Sequence, residues 1–142
     1  MKLQYLPIML VVLSSSCYHI FQKSTPVTLN PIAALIVTYV CASVVSIVSF
    51  FIFVPKTNLI ESLRATNWAS LLLGFAVVGL ELGFLLSYRV GWNISVAGLL
   101  SNTLVALLLI PVGLLLYQES ISFTAISGVL LCITGLILIT KR

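Results

Sequence analysis

The sequence predicts an all-α integral membrane protein with five transmembrane helices. Hydrophobic residues make up 61% of the 142 residues and charged residues only 7%, whereas a water-soluble domain has roughly a quarter of its residues charged. Its apolar segments reach the roughly 20 residues that a spanning helix needs, and their predicted bounds are about 4–21, 31–54, 68–88, 94–117 and 121–140. Each apolar run is continuous and does not alternate with a period of two, which favours helices over a barrel.

Individual residues indicate where the first three segments begin or end. The first stays apolar through Phe21, which favours a spanning helix over a cleaved signal peptide. Pro31 opens the second at a helical position where a missing N–H costs little. The third extends from Trp68 to Tyr88, and a short Arg89–Asn93 turn separates it from the fourth.

The last two segments contain a proline and a predicted cap. Pro111 lies within the fourth helix, where it frees the carbonyl of Leu107 and is expected to bend the helix. Ser120 precedes the fifth helix as a natural N-cap, and Glu119 beside it complements the positive helix end.

Several function classes are excluded by this composition. Residues 1–142 are predicted to form a single transmembrane domain, which leaves no room for a nucleotide-binding or catalytic module. The net charge of +4 comes from Lys and Arg near the spans and does not indicate nucleic-acid binding. Cys17, Cys41 and Cys132 all lie inside spans without metal-binding spacing, so no metal, cofactor or disulfide is predicted. No nucleophile–base arrangement is present either, and the protein is not expected to be an enzyme.

Glu81 lies in the middle of the third segment. A charge at that depth costs at least about 2.5 kcal/mol, which makes it a functional candidate. It could face a cavity and bind a cation, an amine group or a proton; alternatively, a protonated carboxyl group could make a structural hydrogen bond to a Ser, Tyr or His. Arg89, two turns further on, is expected to extend its side chain to the membrane interface.

Other polar residues within the spans are candidates for binding a substrate or ion. Ser15 and His19 lie near the end of the first span, Tyr39 lies in the second, and Ser101 and Asn102 are central in the fourth. Hydroxyl and amide side chains in membrane helices also bond to backbone carbonyls or to neighbouring helices. Substrate contact and structural hydrogen bonding therefore both stay open for this group.

Small residues on two helices predict close helix packing. Gly79 and Gly83 flank Glu81 in a GxxxG pattern, which lets another helix backbone approach. Gly128 and Gly135, with Thr124 and Cys132, form a stripe along the last helix, and this stripe is the predicted dimer or repeat interface.

The second half of the chain carries the more specific family pattern. From Asn93 the sequence reads NISVAGLLSNTLVALLLIPVGLLLYQESISFTAISGVLLCITGLILITKR, in which a helix ends in Gln118-Glu119, a Ser-containing turn follows, and the final helix contains Gly-x6-Gly. This pattern resembles the last two helices of the five-helix EamA-type unit of the drug/metabolite transporter superfamily. The segment SSSCYHIFQKSTPVTLNPIAALIVTYV, with Lys23 at the helix end, resembles the first two helices.

The chain is also similar to the small multidrug resistance proteins, which resemble the same unit with one helix fewer. Those proteins carry a drug- and proton-binding glutamate in their first helix. This chain has Ser14, Ser15 and Ser16 in that region. The resemblance therefore assigns no such role to Glu81, which lies in the third helix.

The resemblance implies a dimeric transporter. EamA-type carriers have ten helices in two inverted halves, and this chain resembles one half. We therefore expect an antiparallel homodimer, or a heterodimer with a second five-helix half. With the N-terminus inside, three basic residues would be cytoplasmic and four outside, which gives no strong orientation bias. The two groups are Lys2, Lys56 and Arg64, and Lys23, Arg89, Lys141 and Arg142.

The expected function is secondary transport, driven by protons or another gradient, of a small polar or amphipathic metabolite by alternating access. The alternatives are a flippase or flippase subunit for a lipid-linked metabolite, or a membrane assembly factor that does not transport. The expected location is the cytoplasmic (inner) membrane, crossed several times, and the expected partners are a small-molecule substrate and the lipid bilayer, without nucleic acid.

Overall fold

The computed structural model describes residues 5–118 and 122–140, which form α-helices and no strand. Six helices lie in these ranges: α1 Leu6–Ser24, α2 Pro31–Phe53, α3 Leu59–Arg64, α4 Trp68–Arg89, α5 Ile94–Leu116 and α6 Phe123–Thr140. The prediction of an all-helical protein is confirmed for this part of the chain.

Three of the helices, α2, α4 and α5, are long and apolar enough to cross a membrane, with 23, 22 and 23 residues. Helices α1 and α6 lie where the first and last spans are predicted. The apolar part of α6 that meets the composition criterion is shorter, Ile126–Ile139, and α1 includes three consecutive serines. The count of five spans stays a prediction.

Asparagines define where α2 and α4 begin. The Oδ1 atom of Asn30 accepts a hydrogen bond from the backbone N–H of Ile32 at 2.9 Å, and Pro31 occupies the first helical position, as predicted. Asn67 Oδ1 accepts from the N–H of Ala69 at 3.1 Å. These side chains satisfy N–H groups that have no partner within the helix.

The connection 55–67, between the second and third predicted spans, contains the short helix α3. Asn58 caps this helix by accepting from the N–H of Ile60 at 3.0 Å, and Glu61 lies in its first turn. A capping residue followed three positions later by Glu is a recognised helix-start signal. This signal is local and does not depend on the apolar length that identifies a spanning helix.

Two further features of the predicted elements concern α5. The turn before it contains Gly91, whose φ of +99° lies in the left-handed region that favours glycine. Helix α5 continues through Pro111 as one element. The predicted capping role of Glu119 and Ser120 falls outside the described residues.

The helices group into two compact units. The α2–α4 unit is Ile20–Val90, in which α2 packs against α4, and its buried side chains are Leu35, Leu85 and Tyr88. The α5–α6 unit comprises the chain up to His19 and from Gly91 onward, with α5 against α6. Most large apolar side chains in both units are exposed, as expected for helices whose solvent is lipid.

Candidate functional site in the α2–α4 unit

A groove of about 970 Å³ lies between α2 and α4. Most of its lining is apolar, and α3 contributes Leu59 and Leu63. Three serine hydroxyls interrupt this surface, and they belong to Ser43, Ser46 and Ser70. Tyr39 lines the groove on α2, about two turns before Ser46. The groove can therefore accept a largely apolar molecule with few polar groups.

Glu81 continues the face of α4 that lines this groove. Val78 is the lining residue nearest to it in sequence, and residues three apart lie on the same side of a helix. The Glu81 carboxyl group interacts electrostatically with the Tyr39 hydroxyl. Both side chains are half-buried, so this polar pair lies where the groove ends on both helices.

The Tyr39–Glu81 pair joins α2 and α4 through polar atoms. The hydroxyl and the carboxyl group act on each other as hydrogen-bonding groups, although the geometry at the Tyr39 hydroxyl oxygen and at Oε2 of Glu81 is not that of a well-formed bond. Both of these oxygens are closed to solvent. Because a polar atom that leaves water costs free energy, each side chain compensates in part for the burial of the other.

Gln22 fixes the backbone at the same turn of α4. Its Nε2 donates to the backbone oxygen of Glu81 at 2.9 Å. A carbonyl oxygen has two lone pairs, so it can accept this bond as well as its helical one. The contact holds the end of α1 beside the turn that carries the carboxyl group.

A second set of contacts joins the ends of α1 and α4. The Tyr88 side chain is only 7% exposed, and its ring stacks on Phe84 with the centroids 6.0 Å apart. The Lys23 amine lies 5.8 Å from the centroid of the same ring, a distance typical of a cation–π interaction.

Arg89 makes two bonds that were not predicted. Its Nη2 donates to the backbone oxygens of Pro26 at 3.2 Å and Leu29 at 2.5 Å. Its Nε is buried and has no hydrogen-bond partner among the described residues. The guanidinium supplies donors to a connection whose carbonyls lack helical partners. The predicted position of Arg89 at the membrane interface stays a prediction.

The other polar candidates lie in the α5–α6 unit. Ser101 Oγ donates to the backbone oxygens of Ala97 at 2.7 Å and Gly98 at 3.2 Å, so its donor is used within its own helix. The His19 ring packs against Gly98, with Nε2 3.6 Å from where a Cβ would lie. The Ser15 side chain is half-buried. Roles for these residues in substrate binding stay predictions.

Asn102 lines a separate cavity of about 340 Å³ between α5 and α6, together with Gly128 and Cys132. Substrate contact and an interhelical hydrogen bond both remain open for its amide. Within the described residues no group of three His, Cys, Asp or Glu side chains could hold a metal ion.

The glycines predicted to pack helices have open surroundings. A Cβ added at Gly79, Gly83, Gly128 or Gly135 would meet no described atom within 4 Å beyond its own helical turn. The close helix contact predicted for them is therefore not made at these positions by the described part of the chain. Their role in packing or dimerisation stays a prediction.

Sequence reasoning identified Glu81 and Tyr39 separately, and the structure brings these two together. The bonds from Gln22 and Arg89 were not predicted from the sequence. The only available signal for Gln22 was an amide at the end of an apolar helix. No signal in the sequence links Arg89 to a connection about 60 residues earlier.

Comparison with known proteins agrees with the predicted class. The EamA-like transporter family matches residues 2–141, almost the entire sequence. No curated protein and no solved structure matched the chain. Its helices of membrane length, one with a half-buried carboxyl group, fit this match. The chain belongs to the EamA-like transporter family of the drug/metabolite transporter superfamily.

Proposed function

We propose that this protein is a secondary transporter of a small polar or amphipathic metabolite. It crosses the cytoplasmic (inner) membrane several times and works by alternating access as a dimer. The observation that carries the proposal is the half-buried carboxyl group of Glu81, which lies in the middle of a helix of membrane length and interacts with the Tyr39 hydroxyl at the end of the groove. Such a carboxyl group in a membrane helix is a binding or proton-transfer site by default.

Energy coupling follows from the same carboxyl group. A carboxylate binds either a proton or a cationic substrate, so an exchange of the two would couple one flow to the other. This mechanism requires Glu81 to be reached in turn from each side of the membrane, which is the role of alternating access in the proposal.

A flippase for a lipid-linked metabolite is the second candidate. The observation in its favour is the largely apolar lining of the α2–α4 groove. An apolar tail could remain in the groove or in lipid while the polar head group moves past the Tyr39–Glu81 pair. Substrate tests with and without a lipid tail separate the two candidates.

The proposed dimer is antiparallel. The balance of Lys and Arg gives no strong orientation preference, and the superfamily's carriers combine two inverted halves. Single-cysteine labelling at the C-terminus, with the three native cysteines replaced by serine, tests this arrangement. Labelling from both sides is the expected result. Labelling from one side, together with crosslinks between parallel copies, would contradict an antiparallel homodimer and favour a heteromeric partner.

The transport proposal is tested by reconstitution into liposomes with a panel of metabolites under an imposed proton gradient. The wild type is compared with Glu81→Gln and with Glu61→Gln, a matched change at an exposed acid on α3. We expect Glu81→Gln to lose gradient-coupled uptake and Glu61→Gln to retain it. Coupled uptake that is unchanged in Glu81→Gln would show that Glu81 is structural.

A further inference from the structure

We infer that the α2–α4 groove holds one acyl chain of an anionic phospholipid whose head group lies beside α3. The lipid remains bound as a component of the folded protein and is separate from any transported molecule. The inference therefore goes beyond the proposed function and does not depend on it.

The groove has about the depth of one leaflet of the bilayer. On α4 it extends from Ser70, close to the start of the helix, to Val78, near the middle of the helix. These residues lie about 12 Å apart along the axis at 1.5 Å per residue, and half of a bilayer's hydrocarbon core is about 15 Å thick. An acyl chain that starts at the α3 end therefore remains within the groove almost to the middle of the membrane.

Helix α3 marks the end of the groove that lies at the membrane surface, because it connects the end of α2 to the start of α4. Leu59 and Leu63 are four residues apart, so they share one side of α3, and both line the groove. Glu61, midway between them in sequence, lies on the opposite side and is exposed. An apolar side with polar residues opposite is typical of a helix that lies in the plane of the interface. The lipid head group would therefore lie beside α3.

The lining of the groove suits a hydrocarbon chain. Of the three serines that line it, Ser46 donates its hydroxyl hydrogen to the backbone oxygen of Ala42 at 2.8 Å, within its own helix. Large apolar side chains of the lining, Leu71, Leu73 and Phe75, are exposed. The groove is therefore open at its side, where an acyl chain can enter from the surrounding lipid.

An acyl chain fits the groove better than a helix of a second copy. A partner helix crosses the full hydrocarbon core of about 30 Å, whereas the groove covers about 12 Å along α4 and has α3 at its surface end. A helix would therefore contact the groove over less than half of its length. A chain of one leaflet contacts it over most of its length, and these van der Waals contacts favour binding over free lipid.

The charge around α3 favours an anionic head group. Lys56 precedes α3 and Arg64 lies in its last turn, and both are exposed. With Glu61, the connection 55–67 has two basic side chains and one acidic side chain, which gives it a net charge of +1. A basic residue at the membrane surface strengthens the attraction to anionic lipids by about fivefold.

The test measures lipid binding to the purified, delipidated protein in detergent by native mass spectrometry. The titrants are palmitoyl-oleoyl phosphatidylglycerol, the phosphatidylcholine with the same chains, and glycerophosphoglycerol as the head group without chains. We expect one phosphatidylglycerol per protein copy to bind about tenfold more tightly than further lipids. Phosphatidylcholine should bind the same site about fivefold more weakly, and glycerophosphoglycerol should not compete.

Two pairs of variants separate the chain from the head group. Gly74→Leu fills the groove at a position where a Cβ meets no atom within 4 Å, and Ala76→Leu, on α4 outside the lining, is its control. We expect Gly74→Leu to weaken the tight lipid by about tenfold and Ala76→Leu to leave it unchanged. Neutralising Lys56 and Arg64 to Gln should remove the preference for phosphatidylglycerol, whereas Lys23→Gln, at the other end of α2, should retain it. A monodisperse elution profile shows that each variant is folded.

Several outcomes would overturn the inference. These are equal weakening by Gly74→Leu and Ala76→Leu, binding of several equivalent lipids without a tight one, and no preference for phosphatidylglycerol in the wild type. Dimers that Gly74→Leu abolishes would place a second copy in the groove instead. Movement of labelled phosphatidylglycerol between liposome leaflets would make the lipid cargo and favour the flippase. The Glu81→Gln transport test is independent of all these results.

Discussion

The two compact units satisfy short hydroxyl groups in the same way, but the α2–α4 unit also contains a longer polar pair. Ser101 Oγ donates to Ala97 O at 2.7 Å in the α5–α6 unit, and Ser46 Oγ donates to Ala42 O at 2.8 Å in the α2–α4 unit. Tyr39 and Glu81 carry their polar atoms too far from the backbone for this kind of bond, and they interact with each other across α2 and α4. Side-chain length therefore separates polar residues that a helix satisfies alone from those that need a second helix or a ligand.

The largest expected effect concerns the buried core of the α2–α4 unit. Leu85 is 1% exposed, whereas its neighbour Leu86 is 45% exposed. We expect Leu85→Ala to lower the free energy of unfolding by about 2 kcal/mol, because the vacated volume loses van der Waals contacts that lipid does not replace. Leu86→Ala should change it by less than about 0.5 kcal/mol. Denaturant titration in detergent micelles measures both, and equal effects would mean that the α2–α4 unit lacks a specific core.

The next effect concerns the bonds from α4 to the connection between α1 and α2. Arg89→Ala removes the donors to Pro26 O and Leu29 O, and we expect a loss of about 1 kcal/mol in unfolding free energy. Backbone amides of this connection should exchange hydrogen faster, as mass spectrometry can show. The control is Arg64→Ala, at an exposed arginine in the last turn of α3. Unchanged exchange in Arg89→Ala would show that these bonds do not order the connection.

The glycines of α6 test whether the α5–α6 unit meets another copy. Replacing Gly128 and Gly135 with Leu should weaken dimerisation by about tenfold, because added volume prevents a close approach of backbones. Analytical ultracentrifugation in detergent measures the equilibrium. The matched control replaces Gly79 and Gly83 on α4. A drop seen only with the α4 pair would place the interface on the α2–α4 unit.

The smallest effect is expected at Ser101. Its hydroxyl already donates within α5, so Ser101→Ala should change stability by less than about 0.5 kcal/mol and leave transport unchanged. Tyr39→Phe, which also removes one hydroxyl, should reduce transport. Equal losses of transport in Ser101→Ala and Tyr39→Phe would contradict this expectation. A hydroxyl bonded within its own helix would then matter as much for transport as one that meets a second helix.

The sequence predicted the helices well because their signals are local. Apolar length places α2 and α4, and Asn30 and Asn67 mark where they begin through side-chain bonds to nearby N–H groups. Helix α3 was not predicted, because apolar length identifies only helices long enough to span a membrane, although Asn58 and Glu61 carry a local start signal.

The candidate site was predicted only in part. Glu81 was identified from its position in an apolar segment alone, because burying a charge there is costly. Its pairing with Tyr39 and the bond from Gln22 depend on how each helix is rotated about its axis, and uniformly apolar helices give little information on rotation. For the same reason Ser101 and Tyr39 could not be separated as candidates before their surroundings were known.

The bonds of Arg89 also have a consequence for biosynthesis. The acceptors of its guanidinium, Pro26 and Leu29, precede it by 63 and 60 residues. A ribosome therefore releases the first connection long before the donor that holds it is made. Until α4 has been synthesised, these bonds cannot restrain α1 and α2 in the membrane, so the final arrangement at this end of the unit is fixed late in translation.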